Sequence, residues 1–147
     1  MNCPCGSGNS YEDCCQPFHT GAQIPETAEQ LMRSRYSAYA LAGTQVEKVV
    51  DYVDYLMITH DPKTRVDTPH ERLVMKDWVK AIEYTGLEVL DTFAGQRGDK
   101  KGKVEFKAHF KTRNGPRKSV QTLHEKSRFR RFKSRWVYTD GEIFAST

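Results

Sequence analysis

The 147-residue chain predicts an α+β fold: three helices, then a four-stranded antiparallel sheet, with a small metal-binding module ahead of them. Three observations carry this. Apolar residues recur at helical spacing to about residue 86, they alternate with polar ones from Leu87 onward, and all four cysteines fall within the first fifteen residues. A charged content of 29% and the lack of any stretch near ~18 continuous apolar residues exclude fibrous and membrane-spanning classes. Seven Phe, seven Tyr and two Trp are enough to furnish a core, so a disordered chain is excluded too. Met1–Cys5 carries no basic n-region or apolar h-region, which makes the cytoplasm the expected location.

The first element is Cys3-Pro4-Cys5, eight residues, then Cys14-Cys15, a C-x-C-x8-C-C spacing. Four thiolates satisfy tetrahedral zinc, each losing its proton on binding. Gly6 and Gly8 permit the left-handed turns that fold a chain tightly around an ion. Ser7, Asn9 and Ser10 favour turns, with backbone amides placed to donate to the sulfurs. A disulfide framework matches poorly, because both cysteine pairs are too close in sequence for relaxed bridges and nothing points to an oxidising compartment. A redox centre would use C-x-x-C beside a βαβ unit, and an iron–sulfur cluster suits so short a spacing less well. His19 remains an alternative to one of the thiolates. The expectation is one structural Zn2+ held by Cys3, Cys5, Cys14 and Cys15. Four protein ligands would leave it no open position for substrate.

Phe18 to Pro25 reads as a linker. Thr27 and Gln30 form a capping box, and the first helix runs to about Gly43 with Ala28, Leu31, Met32, Arg35, Tyr39 and Ala42 on one stripe. Val46, Val49, Val50, Val53 and Met57 mark a second helix, broken at His60-Asp61-Pro62. Thr68-Pro69-His70-Glu71 opens a third, with Val74, Trp78, Ala81 and Ile82 as its stripe and Gly86 as its end. Val104, Phe106, Ala108 and Phe110 then alternate with Lys103, Glu105, Lys107, His109 and Lys111, the pattern of a half-buried strand. Strands are expected near 87–94, 103–113, 118–130 and 135–140, with Asn114-Gly115 as a hairpin turn.

Cys3-Pro4-Cys5-Gly6-Ser7-Gly8, Tyr11 and Cys14-Cys15 closely resemble the SEC-C motif, the zinc-binding module at the end of the SecA translocation ATPase. Leu31 to Tyr39, Thr59-His60-Asp61-Pro62 and His124-Glu125-Lys126-Ser127-Arg128-Phe129 through Tyr138-Thr139-Asp140-Gly141 resemble the YchJ family of bacterial proteins over nearly the whole chain. The resemblance implies a SEC-C module over residues 1–19 and a nuclear-transport-factor-2-like, cystatin-like roll over residues 26–145, with the three helices on a curved sheet. Longer members carry a second SEC-C motif at the carboxyl end, and Ile143-Phe144 and the residues after them do not resemble one. By likeness to the SecA tail, the module is expected to dock a chaperone, the ribosome or another acidic partner.

Arg35 lies inside the apolar stripe of the first helix, whereas Arg33 projects away from it. Leu123, Glu125, Ser127 and Phe129 share one strand face, so Glu125 points inward with the apolar pair. A buried charge needs a partner, so Arg35 and Glu125 are expected to meet, either as a structural ion pair or as the polar floor of a pocket. Tyr36, Tyr39, Trp136 and Tyr138 would wall that pocket. If the protein is an isomerase- or dehydratase-like enzyme, Glu125 is the candidate general base and His60 or a tyrosine the acid; otherwise His60 caps its helix. His70, His109 and His124 read as surface residues.

Charge is lopsided. Residues 97–135 hold 15 Lys/Arg against three acids, +12, whereas residues 1–96 hold 8 against 14, −6. Such a segment is either a nucleic-acid surface or the solvent face of strands, with Lys blunting the sheet edges. The leading reading is a non-catalytic zinc protein whose roll binds a small ligand or a protein partner. A small enzyme and a nucleic-acid binder are the alternatives, and the exposed sheet face is a candidate homodimer surface.

Overall fold

The computed structural model describes residues 1–113 and 120–144. The Asn114-Gly115 turn therefore lies outside the described residues. A short helix α1 (Gln16–His19) precedes α2 (Ala28–Ala42), α3 (Val49–Ile58) and α4 (Pro69–Ala81). Strands β1 (Ile82–Ala94), β2 (Lys101–Thr112), β3 (Gln121–Phe132) and β4 (Arg135–Phe144) follow as one antiparallel meander in that order. The α+β class stands, with α2 packed against β1, β2 and β4.

Both threonine N-caps form, although Gln30 Oε1 accepts from Glu26 N, one residue before the cap, where a capping box would have it accept from Thr27 N. Thr27 Oγ1 accepts from Gln30 N at 3.1 Å, and Thr68 Oγ1 accepts from Glu71 N at 3.1 Å. Two helix boundaries differ, and β4 runs to Phe144 instead of ending near residue 140. The expected linker opens as α1, and α4 ends at Ala81 instead of continuing to Gly86. Ile82 is already extended (φ −114°, ψ 134°) and pairs with Thr112, because β-branched and aromatic residues at 82–84 gain a ladder with β2. Gly86 marks a bulge inside β1, and further register shifts at Val89/Asp91 and Arg128/Phe129 bend the sheet around α2.

Val104, Phe106 and Ala108 of β2 and Glu125, Ser127 and Phe129 of β3 line the concave face, as the alternation predicts. α2 is buried around most of its circumference, Ser34 and Ser37 included, because the roll covers one side and the cysteine module and α3 the other. α4 departs from expectation. Its buried apolar residue is Val79, whereas Val74 and Trp78 are about half exposed because they overlie a cavity instead of solid core.

After α3 the chain pairs with the outer edge of β4. Tyr138 N donates to Thr59 O at 2.8 Å, and Asp61 N donates to Tyr138 O at 2.7 Å. Asp61 is fully enclosed and accepts from Nε and Nη2 along one edge of the Arg130 guanidinium, from Lys63 N and from Thr139 Oγ1. That fork and those donors hold its carboxyl far below the usual carboxylate range. The sequence pattern marked the helix break at this turn but not the buried ion pair that anchors it.

Candidate functional site

The four cysteine sulfurs lie within 4.8 Å of one another, and all four are free thiols. Cys5 Sγ is 3.5 Å from Cys14 Sγ, which is 3.9 Å from Cys15 Sγ. Tetrahedral zinc with bonds of ~2.3 Å separates its sulfurs by about 3.8 Å, so the spacing fits. Gly6 (φ 78°) and Gly8 (φ 87°) make the left-handed turns between the two cysteine pairs. The Ser7 backbone amide hydrogen-bonds to Cys5, as expected, and serine hydroxyls add further contacts at the sulfurs. Ser7 Oγ lies 3.1 Å from Cys14 Sγ, and Ser37 Oγ donates to Cys15 Sγ at 3.3 Å.

Thiols this close compete for negative charge. Hydrogen bonds from Cys15 and Cys3 draw the charge onto Cys5, hydrogen bonds with Cys3 and Cys5 push Cys15 far up, and burial pushes Cys14 up to about 11. A cation among the four would let all of them ionise together, which is the demand this donor set makes.

His19 is no ligand. Its Nε2 donates to Ser34 O at 2.7 Å and its Nδ1 accepts from Tyr11 Oη at 2.7 Å, a tautomer set by a carbonyl that can only accept. The ring stands edge-on to Tyr52 and Tyr55, and burial lowers its pKa. Arg33, which projects off the apolar stripe as predicted, donates to Cys5 O at 2.7 Å and pairs with Glu29. The cysteine module is thus pinned to α2 by Arg33, Ser37 and His19.

The opposite side of α2 faces a cavity of about 450 Å³ between α4 and the sheet. Arg35, Tyr36, Tyr39, Glu125 and Tyr138 line it as predicted. Arg35 and Glu125 form no ion pair within 4.0 Å, so the expected meeting is corrected: Tyr138 stands between them. Arg35 Cζ sits 4.9 Å over the Tyr138 ring, and the Tyr138 hydroxyl donates to Glu125 Oε2 at 3.4 Å. Burial and the Glu125 charge push the Tyr138 hydroxyl far up, so it stays protonated.

Trp136 does not line the cavity. It lies at the far end of the concave face, where its Nε1 donates to Glu26 O at 3.0 Å and Arg131 covers its ring. His60 does not line it either. Its ring packs edge-on against Tyr138, and burial, aided by Arg35 and Arg65, lowers its pKa to about 4, leaving it neutral near pH 7. Pattern reading missed Trp78, Tyr84 and Ser127. Trp78 Nε1 donates to Tyr84 Oη at 3.1 Å, and Ser127 Oγ donates to Glu125 Oε2 at 2.5 Å. A helical period can place Trp78 on a stripe but cannot tell core from cavity wall.

A wider hollow of about 900 Å³ beside residues 21–26 opens to solvent, and its Arg97 is already paired with Glu26. The basic segment is also interleaved with acids. His109 pairs with Glu88 at 2.6 Å, His124 with Glu105 at 2.7 Å and Arg128 with Asp140 at 2.5 Å.

Residues 27–141 match the model of the YchJ middle NTF2-like domain, and residues 2–17 match the SEC-C motif. The chain belongs to the YchJ family. A UPF0225 protein of Geobacter sulfurreducens is 39% identical over 95% of this chain and 77% of its own length, and one of Deinococcus radiodurans is 44% identical over 94% and 86%. The solution structure of a SEC-C motif containing protein from Rhodopseudomonas palustris superposes with a TM-score of 0.77 at 36% identity, covering 99% of this chain and all of that one. A similar protein from Psychrobacter arcticus gives 0.71 at 30% identity, over 99% and 84%. The YchJ fold and the cysteine cluster thus accord with the resemblance read from the sequence. No helix among the described residues is long and apolar enough to cross a membrane.

Proposed function

We propose that this YchJ-family chain is a non-catalytic binding protein whose roll cavity takes a small ligand and whose amino-terminal cysteines hold one structural zinc ion. One observation carries the reading. Arg35 and Glu125, 8% and 9% exposed, open into the same cavity, and neither forms an ion pair among the described residues. Leaving two buried charges unpaired costs several kcal/mol, a cost that a ligand completing both would offset. The cavity volume falls in the range of small-molecule sites.

Binding is favoured over turnover because neither His60 nor Tyr138 is placed to serve Glu125 as an acid. His60 stands behind the Tyr138 ring, and the Tyr138 proton is already spent on Glu125. The paired charges of the outer sheet face favour a solvated surface over a nucleic-acid track. The zinc module buttresses α2, and its exposed Ser7–Asn9 turn is the part left for a protein partner.

The test is a thermal-shift screen of the full, zinc-loaded chain against fractionated cytosolic metabolites. A fraction that raises Tm for the wild type but not for Glu125→Gln supports the reading. No shift from any fraction refutes it. Native mass spectrometry in reductant should find one zinc per chain.

A further inference from the structure

We infer that the cavity recognises a small zwitterion with an aromatic body, its carboxylate on Arg35 and its ammonium on Glu125. This rests on the proposed binding role of the cavity and assigns the ligand's chemistry.

The Arg35 fork is held from one side only. Nη1 donates to Leu56 O at 2.8 Å and Thr59 Oγ1 at 2.7 Å, while Nε and Nη2 have no acceptor among the described residues. Nε and Nη2 are the edge of a guanidinium that takes a carboxylate through two parallel hydrogen bonds. Glu125 mirrors this arrangement. Both of its donors, Ser127 and Tyr138, fall on Oε2, leaving Oε1 with no donor among the described residues.

The two poles stand on different parts of one ring, Arg35 over the face of Tyr138 and Glu125 at its hydroxyl. They are therefore separated by about the width of a tyrosine, a span that an ammonium and a carboxylate on one small molecule can bridge. A ligand with a single charge would complete one pole and leave the other bare. A zwitterion completes both without adding net charge. Glu71, which also lines the cavity, opposes a second anionic group, which argues against phosphates and dicarboxylates.

The rest of the wall suits a flat apolar body. Tyr36 and Tyr84 stand edge to face at 5.4 Å, and Trp78, 46% exposed, donates to the Tyr84 hydroxyl. Trp78 and Trp136 are the only tryptophans, one on the cavity and one buried away from it, so they serve as reporter and internal reference.

The experiment is an NMR titration of the full, zinc-loaded chain with four probes: L-phenylalanine, phenethylamine, hydrocinnamate and 2-phenylethanol. Phenylalanine should move the Trp78 indole signal and leave that of Trp136 in place, and bind about tenfold or more tighter than each of the other three. Glu125→Gln should abolish the advantage of phenylalanine over hydrocinnamate, with the Trp136 signal showing that the variant is folded. The wild-type probe series stands even if that variant does not fold. The inference is overturned if 2-phenylethanol binds as tightly as phenylalanine, or if no probe moves the Trp78 signal. In either case, a metabolite fraction that still raises Tm keeps the binding role and removes only this chemistry; no such fraction removes both.

Discussion

Replacing His19 with Ala separates a metal ligand from a structural clasp. The substitution leaves Ser34 O and the Tyr11 hydroxyl without the partners they hold at 2.7 Å each. Ser34 O is a helix carbonyl and Tyr11 lies beside Tyr52, so each loss is taken at the low end for an orphaned group, about 1 kcal/mol. Two edge-on contacts, to Tyr52 and Tyr55, add about 0.5 kcal/mol each at their own low end. The sum is about 3 kcal/mol, or about 9 °C in Tm for a chain of this size. Urea melts followed by circular dichroism, with zinc measured on the same samples well below Tm, provide the assay. The expected result is one zinc per chain in both proteins and a lowered midpoint in the variant. Loss of zinc from a folded variant would make His19 a ligand and refute the assignment. Burial lowers the His19 pKa, so its neutral form stabilises the fold above the unfolded value of ~6.5, and that contribution is lost as pH falls below it. The gap between wild type and variant should therefore narrow in acid.

Three further outcomes are expected. Asp61→Asn should lower the urea midpoint more than Asp140→Asn, because Asp61 is enclosed while the Asp140–Arg128 pair stands in solvent; the Asp61 contribution is complete above about pH 4 and is lost as pH falls through its depressed folded value, which an acid-unfolding curve will show. The His60 ring protons should titrate near pH 4 by NMR, and the stability owed to its neutral form should decline from about pH 6.5 down to that value. Gly102→Ala should destabilise by about 1–3 kcal/mol in a thermal melt, since its Cβ would sit 2.7 Å from Gly95 N, backbone that cannot swing aside as a side chain can.

What could be read in advance was local. The cysteine cluster lies within thirteen consecutive residues, and each helix cap spans four, so short-range chemistry decided both. What failed was set by distant partners. Helix α4 stops at Ala81 because β2 lies alongside Ile82, and Asp61 is buried because Arg130, 69 positions away, reaches it. Alternation put Glu125 on the concave face and helical period put Arg35 toward the sheet, yet neither carries the distance between them, which Tyr138 fills. Trp136 shows the same limit. Strand parity assigns the correct face, but position along the strand places it under Glu26 at the end of the roll.

The pairing of Thr59 and Asp61 with Tyr138 has a consequence for crowding. A sheet's outermost strand invites neighbouring molecules to extend it, and such templating needs an uninterrupted row of open amides and carbonyls. In β4 that row is occupied at its midpoint by the protein's own turn, leaving about five residues beyond it, with Asp140 and Glu142 among them. An invading strand would have to peel away the turn anchored by Asp61, so this margin resists polymerisation at high concentration.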